Sequence, residues 1–430
     1  MVYTMRNTNL FTKFTVAAVL ALSIGSVHAQ SAAAQPKTEK LLNGLNILMW
    51  PDKSKAQVEV KVRIHDGSAF DPQGKEGVMQ LLADNIFPNV ASREFFSEDL
   101  GGHLDVKTTY DFIEVDAAAN PEHFLTLLET LASAVSNPVI DKENTALIQK
   151  ALLARLAGME STTAYVADRA AAKRLFGTFP YGRPQMGTTE SVRKLVFADL
   201  VDAKERFLTA DNATITISGN FDRDLAFKAI KRYFGGWLKA DKIVPSTFRQ
   251  PDPPNAEPLD ILSPQSGESA IVIAARGVAR NSKDLAASLI FTAILENRLK
   301  DRLPIADMTK VSVRDDVHNL PGSIVIALAA SKQSSDGDIQ KTNVKESIAK
   351  ALAEDITDAE FQLAKKMVGD EWSRRDTPTM WLDAATFGLS SATADNSAIS
   401  DASLSDVRLF ANKFAKAPMV TVLAASPKNN

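Results

Sequence analysis

The sequence predicts an α+β protein of two similar halves, each a mixed, mostly antiparallel sheet covered by helices on one face, with the two halves facing each other. Three observations carry this. Short stretches such as Val58–Ile64 alternate apolar and charged residues, the pattern of strands that turn one face to a core. A stretch such as Phe124–Val135 instead sets Phe124, Leu125, Leu128, Leu131 and Val135 at helical spacing. The order of elements also recurs. Ala270–Ala275 runs to Gly277 as Val58–Ile64 runs to Gly67, a helix follows each glycine, and Leu404–Lys416 with Met419–Leu423 repeats Asp199–Phe207 with Thr214–Ile217.

In chain order, Lys40–Met49 reads as a hairpin around Asn43-Gly44, and Val58–Ile64 as a half-buried strand ending at Gly67-Ser68. The helix Gly77–Phe87 follows. Val78, Leu81, Leu82 and Ile86 form its buried stripe, which leaves Gln80, Ala83 and Asp84 together on the other face. Gly101-Gly102 turns into strands near His103–Thr108 and Phe112–Ala117, and Asn120-Pro121 opens the next helix. Lys142–Leu156, Tyr165–Leu175 and Thr188–Phe207 read as helices, with Phe179–Pro184 a loop between the last two. Asn212–Gly219 is a strand, and Asp222–Phe234 a helix closed by Gly235-Gly236. Five prolines, Pro245, Pro251, Pro253, Pro254 and Pro258, then mark a linker. The division is a leader at 1–29, a first domain at 30–243, a linker at 244–258 and a second domain at 259–430.

The leader carries Arg6 and Lys13, an apolar run Phe14–Ile24 and a small-x-small site Val27-His28-Ala29. That is the pattern of an exported protein, cleaved after Ala29 and destined for the periplasm. The run is short of the roughly 18 apolar residues that span a bilayer, and no Cys follows it, so no membrane anchor is expected. With no Cys anywhere, disulfides, thiol catalysis and thiolate metal sites are excluded together. Removing residues 1–29 takes the formal charge from −3 to −5, and no Lys/Arg cluster stands against that balance. A nucleic-acid partner is therefore not expected.

The chemistry turns on the helix Gly77–Phe87. Positions i, i+3 and i+4 of a helix suit two metal ligands and a catalytic carboxylate, as in the inverted zinc motif His-x-x-Glu-His. Here those positions hold an amide, a methyl and one carboxylate, and a neutral amide is a poor zinc donor. Ser191-Val192-Arg193-Lys194 and Ser347-Ile348-Ala349-Lys350 fit Ser-x-x-Lys without the companion motifs of a penicillin-binding site, and read as solvated helix residues. Trp372 and Trp381 read as core aromatics of a helix pair.

Leu42-Asn43-Gly44-Leu45, Gly67-Ser68, Gly77–Phe87, Leu100-Gly101-Gly102, Thr108–Phe112, Pro180-Tyr181-Gly182-Arg183 and the Asn212–Gly219 strand, in this order and spacing, resemble the pitrilysin/insulinase family of zinc metallopeptidases. The nearest branch has chains of this length, like mitochondrial processing peptidase, and the likeness covers residues 40–427. Where the family has His-x-x-Glu-His, this chain has Gln80, Ala83 and Asp84, so neither ligand His nor the general base is present. The family's third ligand, a Glu, falls near Arg155, with Glu160 the nearby carboxylate. The remaining histidines, His65, His103, His123 and His318, read as surface or satisfied side chains.

The resemblance implies a non-catalytic subunit with no cofactor of its own, paired with a zinc-bearing subunit, the two chains enclosing a clamshell chamber that takes peptide. In active assemblies an Arg and a Tyr of the second half hold the substrate backbone. Arg298 in Leu295–Leu299 matches the Arg, whereas Asp307–Val311 offers no Tyr. Arg298 is thus either a peptide ligand or a partner of Glu296 or Asp301 on a solvated helix. Between Gly277 and Gly322 there is no glycine, which argues against the glycine-rich loop of the mitochondrial enzyme's inactive subunit. The rival readings are a structural or homodimeric peptide-binding protein without a catalytic partner, and an active protease that would need a base not found in the sequence.

Overall fold

The structure is a computed structural model that describes residues 34–240, 248, 251–303, 310–330 and 337–425. The leader, part of the linker and Asp307–Thr309 lie outside the described residues.

The first sheet comprises β1 (Lys37–Lys40), β2 (Asn46–Pro51), β3 (Val58–Ile64), β4 (His103–Thr108), β5 (Ile113–Ala119) and β6 (Ala213–Gly219) in the order β1-β2-β6-β3-β5-β4. Its pairs are antiparallel except β2 with β6. The helices of this half are α1 (Val78–Asp84), α2 (Val90–Glu94), α3 (Phe124–Ser136), α4 (Lys142–Glu160), α5 (Thr163–Phe176), α6 (Thr189–Arg193), α7 (Phe197–Phe207) and α8 (Arg223–Phe234). The stretch read as one helix over 188–207 is two. Thr188 caps α6 through Ser191 N at 3.0 Å, and Asp199 accepts from Val196 N at 2.9 Å to start α7 afresh.

The second sheet has β7 (Leu259–Leu262), β8 (Ser269–Arg276), β9 (Lys310–Asp316), β10 (Ser323–Ala330) and β11 (Met419–Ala425) in the order β7-β11-β8-β10-β9, parallel at β7/β11. Its helices are α9 (Leu285–Arg302), α10 (Gly337–Ala353), α11 (Asp358–Ser373), α12 (Thr377–Phe387), α13 (Ala394–Asp401) and α14 (Leu404–Phe414). Strand for strand, β2-β6-β3-β5-β4 matches β7-β11-β8-β10-β9, and β1 is the addition. The duplication read from sequence is therefore a duplication of topology.

Alternation along the strands puts Val58, Val60, Val62 and Ile64 of β3 into a core with α1, α3, α4, α7 and α8. A second core joins Ile273 and Ala275 of β8 to α9, α11 and α14. Helices thus cover one face of each sheet. The opposite faces are closed by exchange between the halves. From the first half, α5 lays Ala167, Ala171, Leu175 and Phe176 on Ala270, Val272 and Ala274 of β8 and on Val420 and Val422 of β11. Each large apolar side chain buried this way contributes about 2 kcal/mol. From the second half, α12 lies over the charged face of the first sheet. Residues 33–430 consequently form one compact unit.

That charged face departs from the half-buried strand expected at Val58–Ile64. Arg63 and Glu114 are cross-strand neighbours at 0% and 1% exposure. Arg63 Nη2 lies 2.5 Å from Glu114 Oε2, and Arg63 Nη1 donates to Asp383 Oδ1 of α12 at 2.7 Å. Lys61 pairs with Asp116 at 2.9 Å and reaches Asp376 at 3.5 Å. The alternation signalled one polar face correctly. What covers that face comes from a helix remote in sequence.

Candidate functional site at the motif helix

Residues ahead of α1 fix where it starts. The buried carboxylate of Asp71 accepts from Gly77 N at 2.6 Å and from Met79 N at 2.9 Å, meeting donors that a helix N-terminus leaves unpaired. Burial pushes the Asp71 carboxyl up to about 7, against these bonds and the Arg183 guanidinium. Gly77 itself has φ +99°, and a Cβ there would meet Met186 O at 2.8 Å.

The stripe Val78, Leu81, Leu82 and Ile86 is buried as expected, but the other face is not open: Gln80 is 6% exposed and Ala83 0%. Gln80 Nε2 donates to Asp84 Oδ1 at 2.8 Å, an i, i+4 bond within the helix. From α4, the Arg155 guanidinium lies 3.9 Å from Asp84 Oδ2. Burial raises the Asp84 carboxyl above its ordinary range, opposed by Arg155 and by the Gln80 bond. Arg155 therefore stands beside the motif where the resemblance places the third ligand.

Zinc does not fit these residues. The amide is engaged with the carboxylate, Ala83 offers no proton acceptor, and the Arg155 guanidinium near Asp84 repels a dication there. Glu160 does not join Asp84 either. Its two oxygens accept from Thr189 N at 2.9 Å and Thr189 Oγ1 at 2.7 Å, capping α6. Among the described residues no group of three or more His, Asp or Glu side chains is arranged to hold a metal ion.

The histidines are dispersed. His318 Nδ1 is 3.0 Å from Asp111 Oδ2, His103 lies on the edge strand 3.5 Å from Asp116, and His123 sits in the turn before α3. His65 bridges the halves, with Nε2 2.8 Å from Thr214 Oγ1 and Nδ1 2.9 Å from Thr386 Oγ1 of α12. Burial, aided by Arg63, pushes it down to about 4. In the unfolded chain the ring takes its proton near 6.5, so between about 6.5 and 4 only the unfolded state is charged. Stability present above that window is expected to fall by up to about 3 kcal/mol as pH drops through it. Urea unfolding at several pH values checks this, and His65→Gln should remove that share of the slope.

Arg298 follows neither sequence reading. It is 7% exposed, and its partners are not Glu296, which pairs with Lys300 at 2.8 Å, or Asp301. Nε donates to Glu360 Oε1 at 2.6 Å and Nη2 to Glu360 Oε2 at 3.0 Å, a fork that matches the carboxylate. Nη1 serves Ala351 O and Glu354 O, and Nη2 also Asp355 O, the carbonyls at the end of α10. No N–H remains for a peptide. Trp372 is in the second core as expected, and its ring lies under Arg375 at 3.6 Å and Arg280 at 4.3 Å.

Comparison with known proteins agrees with the fold. The family model described as insulinase (peptidase family M16) matches residues 47–189, and that described as peptidase M16 inactive domain matches residues 194–368. An uncharacterized zinc protease of Rickettsia bellii is 22% identical over 210 residues, 47% of this chain and 50% of its own. The chain spans about half the length of the curated relatives it matches. Among solved structures, a peptidase M16 inactive domain from Pseudomonas fluorescens superposes with a TM-score of 0.78 at 19% identity, covering 92% of this chain and 98% of that one. The periplasmic protease PqqL from Escherichia coli gives 0.68 at 15% identity, covering 93% of this chain and 48% of that one. Two models of one family, in tandem along the same duplicated fold, place the chain in the insulinase family, peptidase family M16.

Proposed function

We propose that this chain is a catalytically inactive subunit of a periplasmic zinc peptidase, completing the chamber and binding peptide for a zinc-bearing partner of the same family. The observation that carries the reading is the motif face itself. Gln80 is bonded to Asp84, and Arg155 occupies the approach of the third ligand, so the helix keeps its packing role without a metal donor set. The relatives support a peptidase context, since one is named a zinc protease and a structural neighbour a periplasmic protease. The export pattern of the leader agrees with the compartment. Among the described residues no helix is long and apolar enough to cross a membrane.

The test is purification of the chain from its native periplasm with metal analysis of what accompanies it. A zinc-bearing relative should co-purify, and peptidase activity should require both chains. Stoichiometric zinc on the chain alone, lost on Asp84→Ala, would sink the proposal. A gain-of-site variant gives the converse. Gln80→His, Ala83→Glu, Asp84→His and Arg155→Glu together are expected to hold one zinc through gel filtration where the parent holds none. Failure of this fourfold variant to bind metal would show that the backbone of α1 and α4 no longer supports the site.

A further inference from the structure

A cavity of about 610 Å³ opens where the end of β3, the β4–β5 turn and the end of α7 meet the β9–β10 turn of the second half. Its size suits a small organic group. One wall is aromatic: Tyr110 and Tyr181 are nearly buried, with rings 5.1 Å apart, and Phe70 and Phe248 meet edge to face at 5.4 Å. The polar groups on the other wall are unevenly matched. Asp111 is satisfied, with Oδ1 accepting from Asn319 N at 2.9 Å and Oδ2 facing His318 at 3.0 Å. Asp66 is different. One oxygen accepts from Asn212 Nδ2 at 2.8 Å, and no cationic side chain of the described residues pairs with it. Among the described residues the wall carries one Arg, Arg206, which lies 3.6 Å from Asp202 and 5.0 Å from the Phe207 ring. Thr209, also on the wall and 3% exposed, has a hydroxyl with no partner among the described residues.

A carboxyl partly withdrawn from water, with no counter-ion among the described residues and beside an aromatic wall, is matched by a positive charge on an apolar stem, which gains both ion pairing and ring contact. We propose that this cavity binds an organic cation, an ammonium or guanidinium on a hydrocarbon stem, with Asp66 as counter-ion and Phe70 and Phe248 flanking the stem. Burial pushes the Asp66 carboxyl up to about 7, the condition of an acid that lacks a cation. The inference stands on the cavity alone and does not depend on a zinc-bearing partner. A free amine and the basic side chain of a peptide share this chemistry.

Calorimetric titration of the full chain separates the outcomes. Hexylamine should bind saturably and at least about tenfold more tightly than hexan-1-ol or hexanoate, the worth of one charged hydrogen bond. Asp66→Asn, which keeps an oxygen for Asn212, should remove that preference. Phe248→Ala should weaken hexylamine several-fold while leaving the charge preference in place, a second variant at a half-buried side chain that packs against a buried cluster without being part of it. A peptide with a single lysine, against the same peptide with norleucine, assigns the source. Tighter binding of the lysine peptide than of hexylamine points to a substrate side chain, and the reverse order to a free amine. No saturable binding of either cation, equal binding of hexanol, or an unchanged preference in folded Asp66→Asn would overturn the proposal.

Discussion

Replacing Arg63 by alanine is expected to cost about 3–5 kcal/mol of unfolding free energy, the range for breaking a fully buried ion pair by removing one member. The guanidinium is enclosed by Glu114 at 2.5 Å, Asp383 at 2.7 Å and the Phe112 ring at 4.0 Å. Taking it away leaves Glu114, itself 1% exposed, with Lys107 at 2.6 Å as its one cationic partner among the described residues. Asp383 keeps Arg280 at 3.2 Å and Arg375 at 3.3 Å, so the loss falls mostly on the first sheet. A companion variant identifies the cause. Arg63→Met with Glu114→Gln removes both charges and should recover part of the stability, because a neutral amide is cheaper to bury than an unpaired carboxylate. Urea unfolding of the three proteins checks this, and a loss below about 1 kcal/mol for Arg63→Ala would show that water reaches the site. The same bond crosses from β3 to α12, so weakened docking of the halves should show as faster amide exchange in α12.

The second large effect is at Arg298. Arg298→Ala is expected to destabilise the chain by about 2–4 kcal/mol, less than at Arg63 because Glu360 is partly exposed and screened. The change removes three carbonyl partners at the end of α10 and the fork to Glu360. Glu360 also closes the cap of α11 with Thr357, so both helix ends should loosen. The Arg298 bond is the largest cause holding Glu360 down, from 4.5 to about 2. In the variant its titration, followed by NMR, should move back toward 4.5. The sign is that of a depressed acid: the pair's stabilisation is present above about 4.5 and is lost as pH falls through about 2, a dependence the variant should lack. If instead Arg298→Ala left stability unchanged and abolished peptide binding, Arg298 would be a substrate ligand after all.

These two arginines show where sequence reading reached and where it stopped. Strand and helix periodicity located most elements of the first half, but in the second half it left β7, β9, β10 and α13 unplaced. The recurrence of β3 and β8 beside their glycines pointed to two similar α+β units, and their common strand order came only with the fold. Local pattern could not separate α6 from α7, since the break rests on caps by Thr188 and Asp199 rather than on a Gly or Pro. At Arg298 the sequence offered as ion-pair partners only the i−2 and i+3 neighbours Glu296 and Asp301, whereas the partner in the fold, Glu360, lies on another helix. The cavity at Asp66 left no signal at all. Its wall is drawn from the ends of separate elements that converge only on folding.

By itself the sequence determined that the chain is a duplicated α+β protein and that the motif helix holds an amide, a methyl and one carboxylate, because side-chain period and residue chemistry are local properties. Only the tertiary structure decided what surrounds them. It set Arg155 against Asp84, sent Glu160 to cap α6, and buried the charged face of the first sheet under α12. The reason is that charge pairing and burial depend on distance through space, and α1 with α4, or β3 with α12, are brought together by packing that no spacing along the chain encodes.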